Sequence, residues 1–100
     1  MFRFIRTAIP NTGADIPAAL QFAAQVTSYL NKTYSLNLKY GIEMFGGTRI
    51  QWHFDVDSLD KVYELQGKVL QDREYCGMLD KSRDTFLPGS LKDAVMSLQE

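Results

Sequence analysis

The sequence is poor in the residues that build disulfides, metal centres and membrane spans. Its single cysteine, Cys76, excludes an internal disulfide, a CxxC pair and a cysteine-rich zinc site, and reads as a small semi-buried apolar residue. Its single histidine, His53, with scattered carboxylates, is poor material for a transition-metal site. No apolar run approaches the roughly 18 residues of a membrane-spanning helix. The opening MFRFIRTAIP lacks the apolar core and small cleavage-type residues of a signal peptide. GxSxG, P-loop and GxGxxG motifs are all missing, so Gly46-Gly47 reads as a turn. The formal net charge is −1, from 11 Lys and Arg against 12 Asp and Glu mixed along the chain. Nucleic-acid and anionic-membrane binders need a clustered basic excess, which this balance lacks. The expectation is a cytoplasmic protein with no cofactor, no metal, no nucleic-acid partner and no membrane partner.

What is present is an ordinary globular composition, 45% hydrophobic and 12% aromatic over 100 residues, which fits one domain spanning 1–100. Phe2 to Ile9 alternates as a first strand, closed by Pro10, Asn11 and Gly13. Asp15 reads as an N-cap, with Pro17 in the first turn where its missing N–H costs nothing. Ile16, Ala19, Leu20, Ala23, Val26 and Leu30 then recur at helical spacing, ending in a polar stop at Asn31 to Ser35. Leu36 to Phe45 and Arg49 to Val56 are two strands of period-two alternation around Gly46-Gly47.

The loop between those strands is constrained by the alternation. A three-residue loop, Gly46-Gly47-Thr48, pairs Met44 with Ile50, Ile42 with Trp52 and Tyr40 with Phe54, so that apolar faces agree. Asp57 with Asp60 marks the next helix start, and an apolar stripe runs from Leu59 to Leu79, interrupted at Gly67 and Gly77. Gly67 reads as a close approach to another element. Thr85-Phe86-Leu87 is the one short segment offered for a fourth strand. Ser90 with Asp93 reads as the cap of a C-terminal helix carrying Leu91, Ala94, Val95 and Leu98.

The order β-α-β-β-α, with a right-handed crossover and the third strand inserted between the first two, is a split β-α-β arrangement of the ferredoxin-like α+β class. Helices cover one face of an antiparallel sheet. Together with the strand–Gly-Gly–strand–Asp-Ser-Leu-Asp stretch from Tyr40 to Asp60, this order resembles the dimeric α+β barrel superfamily. That group holds antibiotic-biosynthesis-type monooxygenases, muconolactone-isomerase-like and NIPSNAP-like proteins. The resemblance covers Met1 to about Leu79, and no catalytic motif of the group transfers onto these residues. It implies a homodimer in which two sheets, one per protomer, close a barrel. Independently, Ile5, Phe45 and Gly41 on the otherwise polar sheet face sit more easily inside a cavity between two sheets than in water.

On that polar face the three-residue loop sets Gly41 opposite His53, Glu43 opposite Gln51 and Lys39 opposite Asp55, the last an ordinary cross-strand ion pair. His53 is the side chain whose ordinary pKa suits proton transfer near neutrality. The candidate site is therefore His53 with Gln51, Glu43, Arg49 and Gly41, Trp52 and Phe54 being core and Tyr63 and Tyr75 packing residues. The leading expectation is a protein that binds a small, partly apolar molecule between the two sheets. The alternatives are a cofactor-free monooxygenase or isomerase with His53 moving the proton, and a structural or protein-interaction module using the C-terminal helix.

Overall fold

A computed structural model describes residues 1–99. Its strands are β1 (Phe2–Ala8), β2 (Lys39–Ile42), β3 (Ile50–Val56) and β4 (Lys92–Ser97). Its α-helices are α1 (Ile16–Tyr34), α2 (Leu59–Leu70) and α3 (Arg73–Lys81). The strands form one antiparallel sheet in the order β2-β3-β1-β4, the ferredoxin-like arrangement. As expected, β3 inserts between β1 and β2. Among the described residues no helix is long and apolar enough to cross a membrane.

Local chemistry starts and stops α1. The Thr12 backbone N–H and hydroxyl both donate to Asp15 Oδ2, at 3.0 and 2.8 Å, so Asp15 acts one turn earlier than an N-cap. Pro17 occupies the first turn, and Ser35 ends the helix in the left-handed region at φ 54°, at the far end of the expected polar stop Asn31 to Ser35. One face of α1 packs Ala19, Ala23, Val26 and Leu30 against Ile50, Trp52 and Phe54 of β3. The alanines let the helix backbone approach the sheet. Each large side chain buried there contributes about 1.5–3 kcal/mol before its entropy cost.

β2 is shorter than the alternation predicts. Leu38 donates its N–H to Asn31 Oδ1 at 2.7 Å and accepts from Asn31 Nδ2 at 3.0 Å, so its backbone is satisfied by a side chain of α1 instead of a strand. The hairpin register also differs. Ile42 lies opposite Ile50, Tyr40 opposite Trp52, Gly41 opposite Gln51 and Lys39 opposite His53. Glu43 N–H bonds Arg49 C=O at 2.9 Å, and the two side chains form a two-point ion pair at 2.5 and 2.9 Å. The turn is therefore five residues, Met44 to Thr48. A slip of two residues keeps every side chain on its face, so alternation alone cannot detect it. Phe45, expected at the end of the β2 strand, lies in this turn and is 94% exposed in the single chain.

The stripe from Leu59 to Leu79 is two helices. Ser58 is the N-cap of α2, its hydroxyl accepting from Asp60 N–H at 3.2 Å, while Asp57 pairs with Lys61. The break falls at Gln71-Asp72 and not at a glycine, because Asp72 caps α3 by accepting from Tyr75 N–H at 3.0 Å. A side chain at Gly67 would meet open space, so no close approach explains that glycine.

The C-terminal helix is replaced by β4. Ser90 does not cap a helix; its hydroxyl accepts from Ile9 N–H at 3.1 Å, and Asp93 faces Arg6 across the β1–β4 pair. Insertion of β3 leaves one edge of β1 unpaired, and Lys92–Ser97 satisfies it, a long-range demand stronger than a local capping pattern. Thr85-Phe86-Leu87 makes no strand of its own. It borders the same edge through a single bridge, Phe86 to Pro10, and through Asn11 N–H to Thr85 C=O and Leu87 N–H to Ile9 C=O, both 2.8 Å.

Candidate functional site

A cavity of about 320 Å³ lies between the helix-facing side of the sheet and the three helices. Phe4, Trp52 and Phe54 form its floor on β1 and β3; Val62, Leu65 and Val69 of α2 form much of its roof. α2 contributes no fully buried residue, so this helix spans the space without filling it. That volume is at the lower end of ordinary small-molecule sites, and the wall is overwhelmingly apolar.

The wall is also aromatic. Phe22 meets Trp52 edge-on at 6.3 Å and Phe86 at 5.5 Å, while Phe86 and Trp52 lie 6.4 Å apart. Phe4 and Phe54 are tilted at 5.4 Å across the β1–β3 pair. Ring faces and edges at these separations provide a surface suited to a flat apolar molecule.

Among the polar residues of this wall, which also include Gln66, Ser82, Arg83 and Ser90, three groups stand out. Arg6 points to the helix side of β1, in phase with Phe4 and Ala8. Its Nε and Nη2 donate to the two Asp93 oxygens at 2.7 and 2.8 Å, its Nη1 donates to the Tyr75 hydroxyl at 3.4 Å, and its guanidinium carbon lies 5.6 Å from the Phe4 ring centre. The hydrogen bond to Asp93 raises Arg6 above its ordinary pKa despite its burial. Tyr75 is buried on α3, and burial pushes its hydroxyl upward in pKa, so it is neutral at physiological pH. The third group is Trp52, whose indole N–H is buried with no hydrogen-bond partner. An unpaired buried donor costs about 1–3 kcal/mol, and with less than 1 Å² of accessible surface this one is closed off from the cavity space.

The five candidates drawn from the sequence lie on the other face of the sheet, and none lines the cavity. Gly41 stands opposite Gln51 and not His53, so the expected space beside the imidazole is not made by Gly41. Glu43 is tied to Arg49 and not opposite Gln51; the ion pair holds Glu43 below its ordinary pKa and Arg49 above its own. Lys39 faces His53, and Asp55 pairs with Arg3 at 2.8 and 3.1 Å in place of Lys39. His53 and Gln51 remain neighbours on one face of β3, both half-buried, opposite Ile5 and Thr7 of β1 respectively.

Trp52 and Phe54 are core residues, as expected, and line the cavity as well. Sequence patterns do not single out Arg6, Tyr75 or Asp93. Arg6 does carry a signal: a cation in phase with Phe2, Phe4 and Ala8 on an inward-facing strand position requires a partner. Tyr75 and Asp93 carry none, because Asp93 reaches Arg6 only once β4 is a strand.

No protein-family model and no curated protein sequence matches the chain. Solved structures do. A NIPSNAP family protein of unknown function from Agrobacterium tumefaciens superimposes with a TM-score of 0.79 at 26% identity, covering 96% of this chain and 86% of that one. An uncharacterised NIPSNAP domain protein from Burkholderia xenovorans gives a TM-score of 0.81 at 12% identity, covering 99% and 95%. An antibiotic biosynthesis monooxygenase gives 0.67 at 8% identity over the whole of both chains. The chain has the ferredoxin-like fold of this superfamily of NIPSNAP and antibiotic-biosynthesis-monooxygenase-like proteins.

Proposed function

We propose that this chain, with the fold of the NIPSNAP and antibiotic-biosynthesis-monooxygenase-like proteins, binds a small, mostly apolar molecule between its sheet and its helices. The observation that carries this reading is the cavity itself, about 320 Å³ with an aromatic, largely apolar wall that includes Phe4, Phe22, Trp52, Phe54 and Phe86. Packed interiors rarely leave an apolar space of that size unfilled. A flat, mostly apolar ligand fills it.

We further propose that the chain works as a homodimer joined through the open sheet face. Support comes from the mixed character of that face: Ile5, Ala94 and Met96 lie among the charged Arg3–Asp55 pair and Lys92. Met96 is 50% exposed in the single chain. In such a dimer His53, Gln51, Arg49, Glu43 and Gly41 face the partner sheet, and a ligand between the two sheets is the competing placement. Binding is preferred to turnover because, among the described residues, the cavity is lined by no carboxylate, imidazole or amine that could take a proton near neutral pH.

Trp52 is the single tryptophan, so its emission reports the cavity alone. Titration with the neutral dye N-phenyl-1-naphthylamine is expected to quench Trp52 saturably, with energy transfer to the dye and one dye per chain. His53→Ala should bind equally well. Absence of saturable quenching would sink the cavity reading, whereas loss of binding in His53→Ala would move the ligand to the space between the sheets.

A further inference from the structure

We propose that Asp93 makes the cavity selective for uncharged ligands by neutralising Arg6, a reading that rests on the cavity being the binding site. Arg6 supplies a positive charge to an otherwise apolar wall, and by itself it would recruit carboxylates, sulfonates or phosphates. Asp93 prevents this through a two-point contact at 2.7 and 2.8 Å. The side chains are 27% and 38% exposed, so water screens part of the pair's field.

The donor count shows what is left for a ligand. A guanidinium has five N–H bonds. Two face Asp93, and one faces the Tyr75 hydroxyl. The remaining two, one on each Nη, are left for acceptor atoms of a ligand. A carbonyl, ether or phenol satisfies them without adding charge. An anion would stand beside the Asp93 carboxylate and leave a net negative charge in an apolar site, which desolvation opposes.

The second lining cation does not restore anion binding. Arg83 is hydrogen-bonded to Asp80, and both are largely exposed to water. Phe4 lies against Arg6, its ring centre 5.6 Å from the guanidinium carbon, a cation–π contact that favours the charge in this position. The ligand class is thus a flat, uncharged, largely apolar molecule bearing one or two hydrogen-bond acceptors.

Two dyes with one skeleton test the idea. N-phenyl-1-naphthylamine is neutral, and 8-anilino-1-naphthalenesulfonate carries the same rings with a sulfonate. Binding is read as quenching of Trp52 in the wild type, Asp93→Asn, and the double variant Arg6→Met/Asp93→Asn, each checked for folding by circular dichroism. The wild type is expected to prefer the neutral dye by about tenfold or more. In Asp93→Asn the sulfonate dye should gain about tenfold while the neutral dye changes little. The double variant should lose that gain. If Asp93→Asn fails to fold, the wild-type preference alone decides: equal binding of both dyes overturns the selectivity and leaves the cavity standing. A preference that persists unchanged in folded Asp93→Asn also overturns it. If neither dye binds the wild type, the cavity reading itself fails.

Discussion

Tyr34 donates its phenolic hydrogen to Asp72 at 2.6 Å, tying the end of α1 to the residue that caps α3. Tyr29 donates to the same carboxylate at 2.7 and 2.9 Å. One carboxylate thus joins two helices that enclose the cavity, and α3 carries Tyr75 into it.

This clasp makes stability depend on pH at both ends. Hydrogen bonds from Tyr34, the Tyr75 amide and Tyr29 hold Asp72 below its ordinary pKa. Its contribution is therefore full above the unfolded value near 3.8 and lost as pH falls through the lower folded value. Tyr34 is pushed up to about 12, chiefly by its bond to Asp72, so its contribution is full below pH 10 and lost between 10 and about 12. Melting temperature measured from pH 2 to 12 should fall in both windows. Tyr34→Phe should flatten the alkaline fall, and an unchanged alkaline limb would count against the clasp. Asp72→Ala at pH 7 should lower the melting temperature by about 4–8 °C, the usual effect of losing one helix cap in a domain this small.

The two adjacent glycines of the β2–β3 turn should respond differently to substitution. Gly46 has φ 79°, a left-handed conformation that a side chain resists, whereas Gly47 does not. Gly46→Ala should cost about 1–2 kcal/mol in urea unfolding, and Gly47→Ala less than about 0.5 kcal/mol. Equal costs would mean that the turn differs from the five-residue form.

Core substitutions should separate the two layers of helix packing. Ile50 is completely buried beneath α1, so Ile50→Ala should destabilise by about 2–5 kcal/mol and Ile50→Val by about 0.5–1.5 kcal/mol. Leu70 of α2 is 71% exposed, and Leu70→Ala should stay within about 0.5 kcal/mol. A large loss at Leu70 would show that α2 buries its apolar side against another surface in solution.

The dimer has a direct test at Ile5, which lies between His53 and Ala94 at the centre of the open face. Light scattering after size exclusion should give twice the 11.4 kDa chain mass for the wild type. Ile5→Lys should give the single-chain mass while retaining the fold, since the substitution leaves the helix-side core untouched. A wild type that runs as a monomer would refute the association.

The elements whose signals are local are legible in the order of residues alone. Helical spacing from Ile16 to Leu30 specifies α1. Alternation around Gly46-Gly47 specifies β2, β3 and the faces they share, so Trp52 and Phe54 are recognisable as core. The right-handed crossover and the hairpin together specify the insertion of β3 between β1 and β2.

What tertiary structure decided is equally specific. The hairpin register differs by two residues because period two is blind to even shifts, and the slip moves Gly41 from His53 to Gln51. Ser90 and Asp93 mimic a helix cap, yet the unpaired edge of β1 recruits Lys92–Ser97 as a strand. That choice brings Asp93 to Arg6 across 87 positions of sequence and sets the charge of the cavity. The cavity itself exists because α2 spans the sheet without filling the space beneath it. Periodicity determines which way each side chain points. Whether opposing faces meet, and what is left between them, depends on distances between segments that no local pattern contains.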